Sequence, residues 1–340
     1  MAVFDGCYRN VISLSDGKMR IRNEIKELCG KGDFSAAHRT IKQNAHLDFG
    51  WLSKAVKQRV GLETHIAKYV SKVESQSRID RLSGTSGCTI VESTRLKNGL
   101  IAVACLVHDL GDRKVFEKVV ASEKSHLRER HILETIGSRK LGAPEYLGYF
   151  SDGRLHSVFC TAIEATECRD RELLEGAVLE FASRMWFAEQ SPSVSNSLAF
   201  NCRYAKMLKD EALLRSIEDF WKASNLRMAP VSQVVALAMD APEKLLHGDL
   251  HSGNLIYDGS KFYLIDWDKW TSTRVGAGLR FRSADFERLD VQRRLMEKAP
   301  SMELGRHVLR NFLLYNCLRW FRRDRSESIF YARELERLTA

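Results

Sequence analysis

A short polar hairpin constrains the fold of this chain more than any other feature. In KLLHGDLHSGNLIYDGSKFYLIDWDKW, residues 244–270, two apolar runs, NLIYD and FYLID, are joined through an Asp-Gly pair. Asp-Gly between two apolar runs is a strong signal for a β-hairpin. A hairpin of this length returns Asp266 beside Asn254, and His247 and Asp249 lie on the loop before it. The segment is therefore expected to gather several polar groups at one end of a small sheet.

The chemistry of these groups favours one reaction class. Carboxylate and amide oxygens are hard ligands suited to Mg²⁺, so Asp266 and Asn254 are candidate metal ligands. Asp249 is a candidate base for a hydroxyl proton. A metal site beside a carboxylate base is what phosphoryl transfer to an alcohol requires. The alternative, that these side chains only cap turns, holds for any single residue but not for the ordered set.

The rest of the chain predicts an α+β protein. Residues 1 to about 75 have helical spacing, with Asp33 as an N-cap and a third helix over 51 to about 75. From about 77 to 165 the pattern predicts strands, interrupted by the helix EKSHLRERHILETIG. From about 170 the helical pattern returns. A helix within a mainly antiparallel sheet, followed by a helical half, is an α+β arrangement.

The sequences HGDLHSGNLI and LIDWD together resemble the core motif of the aminoglycoside phosphotransferase and choline kinase family, a branch of the protein-kinase-like fold. The resemblance implies a bilobal fold with a small antiparallel-sheet N-lobe and a larger helical C-lobe. It implies ATP, or GTP, as phosphoryl donor, Asp249 as catalytic base, and Asn254 and Asp266 as Mg²⁺ ligands. His247 is expected to order the loop, and His251 matches a common family choice.

The resemblance also implies nucleotide-binding parts in the sheet-rich region. The small residues of SGTSGCT, expected between two strands, would let the backbone approach phosphates. They are Gly84, Ser86 and Gly87. Lys118 in VFEKVV would contact the phosphates, or else it is an edge-strand lysine facing water. Its partner on the next helix would be Glu129, with Glu123 and Glu134 as alternatives.

Two details of this region stay open at the sequence level. GLIAVACLV is either an extra strand or the second strand, so the register between the glycines and Lys118 is undetermined. The hinge that would contact adenine is expected near Thr161 to Glu164, mostly through backbone groups.

The segment after the hairpin departs from the aminoglycoside-modifying members of the family. Their Gly-Asp-Pro run is replaced by an Arg-rich sequence, and Asp268 stands where a small residue is frequent. Arg274, Arg280 and Arg282 would suit an anionic acceptor. The alternative is that these arginines pair with the acids that follow, Asp285, Glu287 and Asp290. The C-terminal part also bears a partial likeness to the sugar kinases of lipopolysaccharide core synthesis.

We therefore expect phosphorylation of a hydroxyl on a small molecule or glycan, with an anionic sugar favoured. The predicted division is a helical extension over 1–75, a nucleotide-binding N-lobe over 76–165 and a catalytic C-lobe over 166–340. The alternatives are a non-catalytic scaffold, although no metal ligand or base is missing, and a protein kinase, although the H-R-D and A-P-E motifs are absent.

Composition adds a few expectations about partners and location. The net charge of +9 comes without a recognisable nucleic-acid-binding module. The longest apolar run is too short to span a bilayer, and MAVFDGCYRN lacks a signal-peptide pattern. The eight cysteines form no C-x-x-C pair, so reduced thiols are expected. A cytoplasmic protein is predicted, with peripheral membrane contact left open by the basic, amphipathic C-terminal helices.

Overall fold

The structure, a computed structural model, describes residues 17–29, 31–82, 85, 87–97, 102–187, 203–279 and 290–339. The chain divides into two compact units. Met1–His126 and Tyr146–Ala162 form the first, here called the sheet unit, and Leu127–Glu145 and Ile163–Ala340 form the second, the helical unit. The predicted α+β class, with a small antiparallel sheet, a larger helical part and additional N-terminal helices, is confirmed.

Among its described residues, the sheet unit begins with five helices. They are α1 (17–29), α2 (Phe34–Gln43), α3 (Trp51–Gly61), α4 (Glu63–Tyr69) and α5 (Lys72–Ile79). Asp33 caps α2 as predicted, because its carboxylate accepts a hydrogen bond of 2.8 Å from the Ala36 amide. The single helix predicted over 51 to about 75 is wrong in extent, since Ser71 caps a new helix by accepting from Glu74.

Five antiparallel strands follow, in the spatial order β1-β2-β3-β5-β4. Their bounds are β1 (Glu92–Lys97), β2 (Ala102–Asp109), β3 (Lys114–Val120), β4 (Tyr146–Ser151) and β5 (His156–Thr161). The run GLIAVACLV therefore contributes to the second strand from Ala102 onward, and β3 lies at the centre of the sheet. The helix α6 (Glu123–Ile136) connects β3 to β4, as the sequence predicts.

A buried ion pair joins the N-terminal helices to the sheet. Arg78 on α5 donates two hydrogen bonds to the Glu117 carboxylate on β3, from Nε at 2.8 Å and from Nη2 at 3.0 Å. Both side chains are almost fully buried. The carboxylate also contacts His108 Nε2 at 2.8 Å and accepts from Ser157 Oγ at 2.5 Å. The guanidinium lies 3.9 Å from the centre of the Tyr69 ring on α4.

The helical unit contains the C-terminal half of α6 and eight further helices among its described residues. These are α7 (Ser138–Leu141), α8 (Arg171–Trp186), α9 (Arg203–Met207), α10 (Glu211–Ala223), α11 (Val231–Met239), α12 (Val291–Lys298), α13 (Met302–Phe321) and α14 (Arg325–Thr339). Asp210 separates α9 from α10, because its carboxylate accepts a hydrogen bond of 3.0 Å from the Leu213 amide and caps α10. Twelve residues of α13 are buried and form much of the core.

Two short antiparallel strand pairs interrupt these helices. In the first, β6 (Glu243–Leu246) pairs with β9 (Thr271–Arg274), which the sequence did not predict. In the second, β7 (Leu255–Tyr257) pairs with β8 (Phe262–Leu264). Among the residues that the structure describes, no helix has the length and hydropathy to cross a membrane. The cysteines within those residues are free thiols.

Candidate functional site

The predicted hairpin is present and has the expected register. Leu255 pairs with Leu264, and the Ile265 amide donates to the Asn254 carbonyl at 3.0 Å. The turn is held by Asp258, whose carboxylate accepts from Lys261 N at 2.8 Å. The hydrogen bond from the Lys261 backbone amide, together with one from the Ser260 side chain, holds the pKa of Asp258 well below its ordinary value. The strand ends therefore bring Asn254 and Asp266 to the same end of the hairpin.

Asp266 has a left-handed backbone conformation. Its φ is 63° and its ψ is 51°, a region that Asp tolerates better than most residues. It precedes a 3-10 turn over Trp267–Lys269. The indole of Trp267 is buried and donates to the Leu264 carbonyl at 3.1 Å, which fixes the turn against β8. Such backbone strain at a polar residue is typical of functional sites.

Asn254 is anchored so that its amide oxygen remains available. Its Nδ2 donates to the Asp249 carbonyl at 2.8 Å, and the side chain is buried. Within the described part of the chain, the amide oxygen accepts no hydrogen bond. Mg²⁺ commonly takes one or two protein oxygens and completes its shell with phosphates and water. The oxygens of Asn254 and Asp266 fit that requirement. The described residues contain no cluster of three or more His, Cys, Asp or Glu that could hold a metal by itself.

Asp249 is a buried carboxylate with a cationic neighbour. Its side chain is 7% exposed and forms an ion pair with Lys269 Nζ. His251 Nε2 lies 3.8 Å from its Oδ1, and His251 Nδ1 accepts from the Gly253 amide at 3.0 Å. Sequence reasoning missed Lys269. The signal was a lysine three residues after the predicted metal ligand, but only the folded turn shows which carboxylate it reaches.

Gly248 makes this arrangement possible. Its φ is 79°, and a Cβ at this position would lie 2.0 Å from the carbonyl oxygen of Lys269. Only glycine has both the conformational freedom and the space. The backbone before Asp249 therefore lies directly against the turn that carries Lys269.

His247 is a buried neutral imidazole. Its Nε2 lies 2.8 Å from the Ile265 carbonyl, which can only accept, so Nε2 carries the proton. Burial lowers the pKa of His247 to about 4, although the hydrogen bond to Ile265 opposes the shift. The ring also contacts Trp267 edge to face, with centroids 4.7 Å apart. These contacts support the predicted role in ordering the loop.

Two further contacts, both missed from sequence, connect the site to neighbouring helices. Glu175 on α8 is hydrogen-bonded to Ser252. Desolvation raises the pKa of Glu175, and the bond to Ser252 opposes that shift. Trp270, fully buried, donates from Nε1 to the Arg128 carbonyl on α6 at 2.8 Å. Burial lowers the pKa of Arg128, and the charge of buried Asp268 opposes this.

Lys118 and Glu129 are both buried, each within its own unit. Lys118 is 7% exposed on the central strand β3, so the alternative of an edge-strand lysine facing water is wrong. On α6, Glu129 is also 7% exposed. Glu123 and Glu134 are exposed, and Glu134 binds Arg130 at 3.0 Å. Burial thus favours Glu129 over its alternatives. The predicted pairing of Lys118 with Glu129 stays a prediction.

The expected position of the phosphate loop between two strands is wrong. Gly87, with φ of 82°, lies in a turn that follows α5 and precedes β1, because residues 77–79 are helical. Gly84 and Ser86 lie outside the described residues. Thr161 is the last residue of β5, and Glu164 is exposed in the segment that follows.

The predicted acceptor arginines are only partly described. Arg274 on β9 donates to the Ala241 carbonyl at 2.8 Å and lies 3.6 Å from Glu243 Oε1. It is therefore engaged with the strand pair β6–β9. Arg280 and Arg282 lie outside the described residues, as do Asp285 and Glu287.

Residues 128–274 match a phosphotransferase family. The matching family model is described as a phosphotransferase enzyme family, and the matched residues contain Asp249, Asn254 and Asp266. The predicted resemblance to aminoglycoside phosphotransferases and the prediction of a phosphotransferase enzyme are thereby confirmed, over less than half of the chain. The partial likeness to lipopolysaccharide core kinases stays a prediction. No curated protein matches the chain.

Several solved structures are similar at low identity. A thermostable aminoglycoside phosphotransferase APH(4)-Ia with ADP and hygromycin B is 15% identical, at TM-score 0.47, covering 80% of this chain and 99% of that one. A spectinomycin phosphotransferase, APH(9)-Ia, with ADP and spectinomycin is 12% identical, at TM-score 0.42, covering 78% and 97%. The choline kinase LicA from Streptococcus pneumoniae is 12% identical, at TM-score 0.44, covering 81% and 99%. With identities and TM-scores this low, the assignment depends on the family match and on the site itself.

Proposed function

We propose that this protein transfers the γ-phosphoryl group of ATP to a hydroxyl of a small molecule or glycan. The observation that carries the proposal is the buried Asp249 carboxylate, which is held beside Lys269 and whose backbone carbonyl anchors Asn254. A base next to oxygen ligands and a cation is the equipment that phosphoryl transfer to an alcohol needs. The family match over 128–274 supports the same reaction class.

In the proposed reaction, Asp249 accepts the proton of the acceptor hydroxyl. The hydroxyl oxygen forms a bond to the γ-phosphorus, and the bond from that phosphorus to the β,γ-bridging oxygen breaks, leaving ADP. Lys269 carries a positive charge beside Asp249 and would offset the negative charge that collects at the reacting oxygens. His247 keeps the loop fixed through Ile265 without exchanging a proton, because its pKa of about 4 leaves it neutral near pH 7.

Asn254 and Asp266 would hold Mg²⁺. When bound, the metal would neutralise charge on the nucleotide phosphates. We further propose Lys118 and Glu129, both buried, as nucleotide-binding residues, as the resemblance implies. Gly87 would contribute to phosphate binding and the backbone over Thr161–Glu164 to adenine binding, as the resemblance implies. The division into an extension (1–75), a nucleotide-binding part (76–165) and a catalytic part (166–340) belongs to the same proposal.

The acceptor is proposed at two levels of detail. A hydroxyl on a small molecule is the general expectation, and an anionic sugar is the specific one. The engagement of Arg274 with Glu243 and Ala241 weakens its part in binding an anion. The acceptor is therefore best found by screening aminoglycosides, amino alcohols and acidic or phosphorylated sugars side by side.

Two variants test the proposed roles. Asp249→Asn should abolish transfer while leaving the Mg-ATP thermal shift nearly intact, because the base is not a nucleotide ligand. Asp266→Ala should reduce the Mg-dependent shift itself, since binding to the folded state raises the melting temperature by mass action. Asp219→Asn, at an exposed position on α10, is the matched control and should behave as wild type.

The outcomes separate the alternatives. If both site variants lose the Mg-ATP shift equally, the assigned roles are wrong. If the melting temperature of wild type does not rise with either ATP or GTP, the protein is a non-catalytic scaffold rather than an enzyme. A shift without transfer to any acceptor, together with phosphorylation of a protein substrate, would instead identify a protein kinase.

A further inference from the structure

The helical unit contains a cavity whose lining includes none of the residues of the candidate site. Its volume is about 580 Å³, within the range of small-molecule sites. Its walls come from α8, α12, the helix α7 with the two residues after it, and the start of β8 with the preceding turn residue Lys261. None of Asp249, Asn254 or Asp266 lines it.

The lining carries an excess of positive charge. Its cationic members are Arg139, Arg184, Lys261 and Arg294, against two carboxylates, Glu172 and Glu180. Glu180 is already shared by Lys298 and Arg184. Arg139, Lys261 and Arg294 form no ion pair with any residue in the described part of the chain. These three cations exceed the one further carboxylate of the lining, Glu172, and this excess of positive charge favours an anionic ligand.

Apolar groups complete the walls. Phe181, Phe262 and Tyr263 line the cavity together with Leu173, whose side chain is 46% exposed. An inorganic anion would leave this surface in water, whereas a ligand with a planar apolar body would cover it. Arginine guanidinium groups bind phosphate through paired hydrogen bonds, which favours a phosphate as the charged part.

We propose that this cavity binds a phosphomonoester with an aromatic or similarly planar body. The site is an effector site rather than the acceptor site, because it excludes the proposed base and metal ligands. Its lining residues are nevertheless close in sequence to residues of the candidate site. Gly176 follows Glu175, which is hydrogen-bonded to Ser252 on the loop between Asp249 and Asn254. Tyr263 lies on β8, the strand that precedes Asp266. The proposal does not depend on the proposed transfer activity.

Phenyl phosphate is the probe that combines both features. Its binding to the full chain can be measured by calorimetry and thermal shift in EDTA, which suppresses any metal-dependent nucleotide site. Wild type should bind it more tightly than inorganic phosphate or phenol. Arg139→Ala, at an exposed position where folding is not at risk, should weaken binding about tenfold or more, as expected for loss of a charge-assisted contact.

The controls locate the binding. Arg215→Ala removes an exposed arginine from α10, outside the cavity, and should bind as wild type. Asp266→Ala should also retain phenyl phosphate binding. Loss in Arg139→Ala alone supports the proposal. Equal binding in Arg139→Ala and wild type, loss in Asp266→Ala, or the absence of binding to wild type would overturn it. If inorganic phosphate binds as tightly as phenyl phosphate, the proposal that the cavity recognises an aromatic or planar body is wrong.

Discussion

The buried pair Arg78–Glu117 predicts a large and pH-dependent loss of stability when only one partner is removed. Arg78→Met would delete two hydrogen bonds to Glu117, a 2.6 Å bond to the Tyr69 carbonyl and a 3.0 Å bond to Ser75 Oγ. It would also leave a carboxylate in a site with no access to water. Breaking a buried pair in this way costs about 3–5 kcal/mol of the free energy of unfolding.

The pH dependence follows from the pKa of Glu117. Burial raises this pKa, but the hydrogen bond with His108 and the charge of Arg78 outweigh burial, so the pKa is lowered overall. In wild type the pair therefore stabilises the fold above the unfolded pKa of about 4.3, and this is lost as the pH falls through the folded value. Without Arg78 the carboxyl takes up a proton more readily. The deficit of Arg78→Met should thus shrink between pH 7 and pH 4.5.

Hydrogen exchange of peptides from β2, β3 and α5, combined with urea unfolding at both pH values, measures this effect in the sheet unit. Arg81→Met is the matched control, because Arg81 is exposed and its guanidinium lies 5.0 Å from the centre of the Phe150 ring. Its effect should stay within about 1 kcal/mol. Replacing Glu117 by Gln in the Arg78→Met background should recover part of the loss. A deficit below about 1 kcal/mol for Arg78→Met, or one that grows as the pH falls, would refute the argument.

Three further predictions concern the candidate site. Gly248→Ala should lower the melting temperature and abolish transfer, because the new methyl group would lie 2.0 Å from a backbone carbonyl oxygen. Gly259→Ala is the control and should keep its activity, because its methyl group would lie 3.5 Å from the nearest atom. Trp270→Phe should cost about 0.5–1.5 kcal/mol, measured by urea unfolding, because it removes the hydrogen bond from the indole to the α6 carbonyl, whereas Trp51→Phe at an exposed position should be nearly neutral. The pKa of His247 is about 4 in the folded protein against an ordinary 6.5. The free energy of unfolding should therefore fall by about 3 kcal/mol as the pH falls from 6.5 to 4. The free energy of unfolding of His247→Gln should depend less on pH over that range.

The hairpin could be predicted from sequence because its determinants are local. An Asp-Gly turn between two apolar runs fixes the register, and the register brings Asn254 and Asp266 to one end. The strands β1 to β5 were also mostly predictable from alternation and turn residues. Lys118 on a central strand follows from the same pattern once GLIAVACLV is known to be the second strand.

The errors came from contacts that the local pattern does not contain. Residues 77–79 were expected to be a strand, yet they end α5, where Arg78 reaches Glu117 across 39 positions of sequence. The strand pair β6–β9 joins segments separated by the whole β7–β8 hairpin, so neither strand adjoins a turn signal that would predict the pairing. Lys269 reaches Asp249 because of a left-handed Asp266 and a glycine at 248, neither of which spacing alone reveals.

These contacts make the proposed base and the proposed metal ligand parts of one structural element. The carbonyl of Lys269 lies against Gly248, and its ammonium group binds Asp249, so the turn after Asp266 supports the loop on which the base lies. Trp270 then ties the same turn to α6. A substitution that moves this turn would disturb base and metal ligand together. At the base, a substitution that preserves the shape of the side chain is therefore needed, which is why Asp249→Asn, rather than a truncation, is the informative change.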